Sequence, residues 1–200
     1  MLLLAKTAMA MMLGFIFAIG FGWLLIPLLR KFHLGQNVSH TVGERHLKKN
    51  GTPTMGGLIF IVPTIISVLL LWIRGSITMN SNLIILLFVF IAYAFLGFVD
   101  DFLKIKCKNN VGIPISTKFV AQMVIAVVFF YIFMSNGGKS VLEISSLGIN
   151  LKLGWVFGLF ILFLLVGTSN AVNITDGLDG LAAGLSVIAF LAYGIIAWNT

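Results

Sequence analysis

The chain has 200 residues, 60% of them hydrophobic and only 10% charged, with a net charge of +7. No soluble globular domain spreads so few charges over so much apolar sequence, so the class is an integral membrane protein. The single Cys107 excludes an intrachain disulfide and offers no zinc-ligand spacing. The positive balance calls for no nucleic acid, because anionic membrane lipid and a phosphorylated substrate account for it.

The first uncharged run, Thr7–Leu29, is too long for the apolar stretch of a secretion signal, and no small-residue cleavage site follows it, which predicts a retained membrane helix. A basic loop follows, with Arg30, Lys31, Arg45, Lys48 and Lys49; its His33, His40 and His46 are irregularly spaced and read as surface residues. The segment Lys48-Lys49-Asn50-Gly51-Thr52-Pro53-Thr54-Met55-Gly56-Gly57 combines lysines, hydroxyls and yielding backbone, a composition suited to phosphate oxygens. It lacks the Gly-x-x-x-x-Gly-Lys spacing of a P-loop, and a solvated basic loop would explain its lysines equally well.

The runs Asn50–Ile73 and Gly75–Val99 predict the second and third helices. The third ends in Gly97-Phe98-Val99-Asp100-Asp101-Phe102-Leu103-Lys104. Two adjacent carboxylates there oppose the helix macrodipole and repel each other, and a bound cation would relieve both penalties. The competing reading pairs Asp100 with Lys104 at i,i+4 and leaves Asp101 in water. A second basic loop carries Lys104, Lys106, Lys108 and Lys118 before the fourth run, Phe119–Gly138.

Val141-Leu142-Glu143-Ile144 and Ile149-Asn150-Leu151 flank a Ser145-Ser146-Leu147-Gly148 turn, which predicts a short extracytoplasmic β-hairpin. The runs Leu153–Thr175 and Gly180–Thr200 predict helices five and six. Across their junction runs Asn170-Ala171-Val172-Asn173-Ile174-Thr175-Asp176-Gly177-Leu178-Asp179-Gly180. If this stretch is helical, Asp176 and Asp179 share a face, as do Asn170 and Asn173, and the glycines let a ligand approach the backbone. Helix packing at Gly177, Gly180 and Gly184 would explain the glycines, though not two carboxylates and two amides together.

The expected fold is an all-α polytopic membrane protein of six transmembrane helices, residues 1–200 forming one transmembrane domain. Nine of the thirteen Lys and Arg lie in the loops after helices one and three, which puts those loops in the cytoplasm and the amino terminus outside. Helices three and five then both run inward and bring the two acidic pairs to the cytoplasmic face. Carboxylates beside lysines at a membrane surface suit Mg²⁺, which binds through one or two carboxylates plus substrate phosphates, and phosphoryl transfer to a lipid phosphate.

The Gly51–Gly57 segment, Asp100-Asp101-Phe102-Leu103-Lys104 and the Asn170–Gly180 segment together resemble the phospho-N-acetylmuramoyl-pentapeptide transferase (MraY) family of the polyprenyl-phosphate N-acetylhexosamine-1-phosphate transferase superfamily. The resemblance implies Mg²⁺-dependent transfer of phospho-N-acetylmuramoyl-pentapeptide from its UDP carrier to undecaprenyl phosphate in the bacterial cytoplasmic membrane, giving lipid I and UMP. By motif, Asp100 would be the base toward the lipid phosphate, or the nucleophile of a covalent route, with Asp101 assisting. Lys49, Lys104 and Lys108 would hold phosphates, and Thr54 would lie beside the pyrophosphate or its sugar. Asn173, Asp176 and Asp179 would line the nucleotide side, Asp176 being the residue nearest to a metal role. The family implies homodimerisation, about ten helices, and a later metal-binding aspartate and histidine-rich motif that are absent from these residues. The chain is thus expected to be an amino-terminal portion, inactive alone. Alternatives are a related transferase using another UDP-sugar, a cation-coupled transporter with the aspartates as ion site, and a non-catalytic scaffold.

Overall fold

The computed structural model describes residues 2–31, 54–107, 112–144, 148–177 and 180–199. Among the described residues six helices and two strands follow one another: α1 (Leu2–Lys31), α2 (Leu58–Ile73), α3 (Ser81–Lys106), α4 (Ile115–Ser135), β1 (Val141–Ile144), β2 (Ile149–Lys152), α5 (Val156–Thr175) and α6 (Leu181–Asn199). The chain divides into two compact units, Met1–Ala121 and Gln122–Thr200.

Four helices are long and apolar enough to cross a membrane: Thr7–Lys31 of α1, and α3, α4 and α5. They meet four of the six expected spans and make the chain a polytopic membrane protein. Large apolar side chains such as Trp23, Phe95, Tyr131 and Phe163 stand exposed along them. A soluble protein would bury such surface, whereas hydrocarbon solvates it and leaves the helix to satisfy its own backbone. The two other apolar helices, α2 and the described extent of α6, are shorter.

In the first unit α1 packs against α2. Gly22, Leu25 and Leu29 recur at helical spacing on one side of α1, and the two leucines are buried. Gly22 permits the close approach, since a Cβ there would stand 3.1 Å from Ile59 Cγ2. On α2 the buried positions Pro63, Ser67 and Leu71 fall at i, i+4 and i+8, again one face. The helix starts at Leu58, later than the uncharged run from Asn50 allowed. Met55 adopts φ 65° and turns the backbone aside just before it.

Asn80 caps α3, its side-chain oxygen accepting from the Leu83 N–H at 2.9 Å. About 20 helical residues fill the hydrocarbon, and Ser81–Val99 supplies the uncharged part of α3. Asp100 is the first charged residue after that uncharged part.

In the second unit Gly158 of α5 packs on Phe130 of α4, where a Cβ would meet Phe130 Cε1 at 3.1 Å. Phe157 lies against Phe130, Phe133 and Phe160, with ring centroids 6.2–6.4 Å apart. The expected hairpin is present as an antiparallel pair, Val141 opposite Lys152 and Ile144 opposite Ile149. It gains one residue at Lys152, and Gly148 in its connection takes φ 64°, which suits glycine.

Candidate active site

Asp100 and Asp101 occupy the last two turns of α3, and three chain segments of the first unit meet there. Asp100 is buried, 7% exposed. Its Oδ2 lies 2.7 Å from Lys104 Nζ and 3.7 Å from Lys118 Nζ, and its Oδ1 accepts from the Ile113 N–H at 2.9 Å. Asp101 Oδ1 lies 3.3 Å from the same Lys104 Nζ, while Oδ2 accepts from the Met55 N–H at 3.0 Å. Every oxygen of the pair thus has a donor.

This arrangement answers the difficulty that the sequence posed. Two carboxylates at a helix carboxyl end are disfavoured by the dipole, yet two lysines balance their charge within the chain. Both backbone donors also lie just ahead of helix amino termini, Met55 before α2 and Ile113 before α4. Such termini carry unsatisfied N–H groups and a positive potential. Of the two sequence readings, the i,i+4 pair of Asp100 with Lys104 forms. Its corollary fails, because Asp101 is bound by Lys104 and the Met55 N–H.

The Met55 contact draws the Thr54-Met55-Gly56-Gly57 segment onto the aspartate pair. Met55 is a buried non-glycine residue in the left-handed region, which costs on the order of 1 kcal/mol. A hydrogen bond to a charged acceptor contributes about 1.5–3 kcal/mol, enough to hold that backbone. Thr54, the residue singled out by motif, is half-buried directly before it. Gly112 closes the other side. A Cβ at that position would come within 2.8 Å of Asp100 Cγ and 3.0 Å of Lys104 Cε, so only glycine fits.

Asp176 and Asn173 lie at the carboxyl end of α5 and are exposed. The helical premise for Asp176 and Asp179 does not hold where it can be followed. The helix ends at Thr175, Asp176 is its C-cap, Gly177 continues a turn, and Gly180 takes φ 80°. Glycines at these positions favour a helix break over a continued helix. Asn170 serves a different purpose from the one its spacing suggested. Its Nδ2 donates to Gln122 Oε1 and to the Val166 carbonyl, both at 2.8 Å.

Lys49, Lys108 and Asp179 lie outside the described residues, as do His33, His40, His46 and the hairpin turn 145–147. Cys107 is exposed and free. Among the described residues no three His, Cys, Asp or Glu side chains gather into a metal-ligating group. Lys118 and the Ile113 N–H were not singled out by sequence, because their approach depends on the path taken between α3 and α4. Lys118 was legible only as part of a basic loop.

Comparison with known proteins adds an independent line. The family model described as Glycosyl transferase family 4 matches residues 83–200, and Phospho-N-acetylmuramoyl-pentapeptide-transferase signature 1 matches residues 49–61. These matches cover both halves of the cluster, Met55 on one side and Asp100, Asp101 and Lys104 on the other. A phospho-N-acetylmuramoyl-pentapeptide-transferase of Geobacillus thermodenitrificans (strain NG80-2) is 41% identical over 191 residues, spanning 95% of this chain and 58% of the relative. Those of Oceanobacillus iheyensis and Bacillus subtilis (strain 168) are 42% and 39% identical, over 88% and 94% of this chain and 54% and 58% of their own lengths. The chain therefore spans a little over half the length of the curated relatives it matches.

Proposed function

From its membership of glycosyl transferase family 4, to which the chain belongs, we propose that it serves phospho-N-acetylmuramoyl-pentapeptide transfer from UDP to undecaprenyl phosphate, giving lipid I and UMP. The observation that carries this reading is the junction of Asp101 with the Met55 N–H beside the Asp100–Lys104 pair. It joins two matched segments, 46 residues apart, into one cluster of acids and lysines.

In this reading the protein crosses the bacterial cytoplasmic membrane six times in these residues, amino terminus outside, with the cluster facing the cytoplasm. The excess of Lys and Arg in the loops after α1 and α3 supports that orientation. An oxygen of the lipid phosphate attacks the sugar-bearing phosphorus of the nucleotide. A new P–O bond forms, the phosphoanhydride bond breaks, and UMP leaves with the bond's electron pair. Asp100 takes the proton of the lipid phosphate, and Asp101 holds the Thr54 segment against the site. Lys104, already between the two carboxylates, turns toward phosphate oxygens as they arrive, with Lys49 and Lys108 as further phosphate contacts. Asn173, Asp176 and Asp179 contact the nucleotide.

The donor chemistry fits Mg²⁺, which takes hard carboxylate oxygens and substrate phosphates. Asp176 is the residue we assign to hold it, since an exposed carboxylate at the negative end of α5 favours a cation. When bound, the ion supplies charge neutralisation on the diphosphate.

The test supplies the full-length protein with Mg²⁺, undecaprenyl phosphate and either UDP-N-acetylmuramoyl-pentapeptide or UDP-N-acetylglucosamine. UMP release with the muramoyl nucleotide is the expected result. Release only with UDP-N-acetylglucosamine would move the protein to a sister activity, and release with neither would end the transferase reading.

A further inference from the structure

We propose that Gln122 is a positioning residue for the nucleotide-binding end of α5, an assignment that rests on the function proposed above. Gln122 lies on α4 with no exposed surface. Its Nε2 donates to Ser169 Oγ at 3.1 Å, and its Oε1 accepts from Asn170 Nδ2 at 2.8 Å. Both ends of one buried amide are thereby spent on adjacent residues of α5.

The position of this clasp along α5 gives it consequence. The aromatic packing of Phe157 and Gly158 holds the start of α5. Beyond Val166 no residue of the helix is buried within these residues, and the hydrogen bonds of Gln122 tie the helix to α4 there. Ser169 and Asn170 fall at this point. Asn173 follows Asn170 at i+3 on the same face, and Asp176 caps the helix about 9 Å further along the axis. A small rotation of α5 would swing both groups together.

An apolar side chain at 122 could fill the same space without the cost of burying an amide. What the amide adds is direction, because its donor and acceptor accept only one orientation of Ser169 and Asn170. The clasp therefore sets where Asn173 and Asp176 are aimed, without touching substrate itself.

The experiment compares Gln122→Met with wild type in the full-length protein, varying each substrate in turn and recording thermal unfolding in detergent. Methionine keeps the length of the side chain and loses the paired donor and acceptor. The KM for UDP-N-acetylmuramoyl-pentapeptide is expected to rise about tenfold, as for residues coupled through one network, while the KM for undecaprenyl phosphate stays unchanged. Equal shifts in both KM values, or a fall in kcat that tracks a lowered unfolding temperature with neither KM moved, would overturn the assignment. If the methionine variant does not fold, Ser169→Ala removes one of the two bonds and is expected to raise the same KM to a smaller extent; an unchanged KM there overturns it too. A wild-type protein that transfers nothing defeats the functional reading, whereas active wild type with an unshifted variant defeats the role of Gln122 alone.

Discussion

The side chains of Asp100 and Asp101 are adjacent in sequence and yet are held for different ends. Asp100 is buried among Lys104, Lys118 and the Ile113 N–H, whereas Asp101 binds the backbone of Met55. Substitutions should separate them. Asp101→Asn keeps an oxygen for the Met55 N–H, and Asp101→Ala does not. The alanine variant is expected to lose about 1–3 kcal/mol of stability, seen as a lower unfolding temperature in detergent, with the asparagine variant closer to wild type. Equal losses would remove the anchoring role. Gly112→Ala tests the other wall of the site. Its Cβ would collide with the Asp100 carboxylate and Lys104 Cε, so transfer activity should fall although no charged group has changed. Full activity in that variant would mean the collision is relieved by a shift that the site tolerates. The sequence disclosed the Asp100–Lys104 pair through its i,i+4 spacing, and it disclosed no partner for Asp101. Local spacing governs contacts along one helix, while the Met55 contact depends on how α2 begins.

Helices and strands were legible where a single physical rule sets their limits. Charges bound the apolar runs, and α4 and α5 begin and end within four residues of those bounds, whereas α3 starts six residues after Gly75 and continues past Val99 through its acidic pair to Lys106. The hairpin followed from alternating residues around a Ser-Ser-Leu-Gly connection, and its strands pair in register. Where two rules compete, the sequence misled. The uncharged run from Asn50 favours an early start for α2, but the left-handed Met55 and the hydrogen bond to Asp101 delay it to Leu58. The acidic pair at the end of α5 was aligned by a helical period that stops at Thr175, because the glycines around it favour a turn. A signal for Gln122 was present, since it is the one amide deep inside the uncharged run Phe119–Gly138. Polar side chains at such depth commonly bond between helices. Caps offer a test at this scale. Asn80→Ala removes the acceptor of the Leu83 N–H and should cost about 0.5–2 kcal/mol, measured by unfolding in detergent, without altering either KM. A changed KM would tie the start of α3 to the site.

Across the whole molecule, composition alone established a membrane protein, and the exposed aromatic and aliphatic side chains of α1, α3, α5 and α6 agree with that class. The family was legible from three short segments, and matches over residues 49–61 and 83–200 bear it out. The proposed topology rests on the distribution of thirteen Lys and Arg, so it is open to direct test. Single cysteines introduced beside Arg45 and beside Lys139 should be labelled by a membrane-impermeant thiol reagent from opposite sides, the first only after the membrane is opened. Labelling of the first in intact cells would reverse the orientation.

The most direct measurement of the central claim is transfer of labelled phospho-N-acetylmuramoyl-pentapeptide to undecaprenyl phosphate by the full-length protein and its Asp100→Asn variant, each confirmed to be folded. A positioned general base contributes about 10²–10⁴-fold, and a loss of that size with little change in either KM is the predicted result. An asparagine variant that transfers at the wild-type rate would contradict the account.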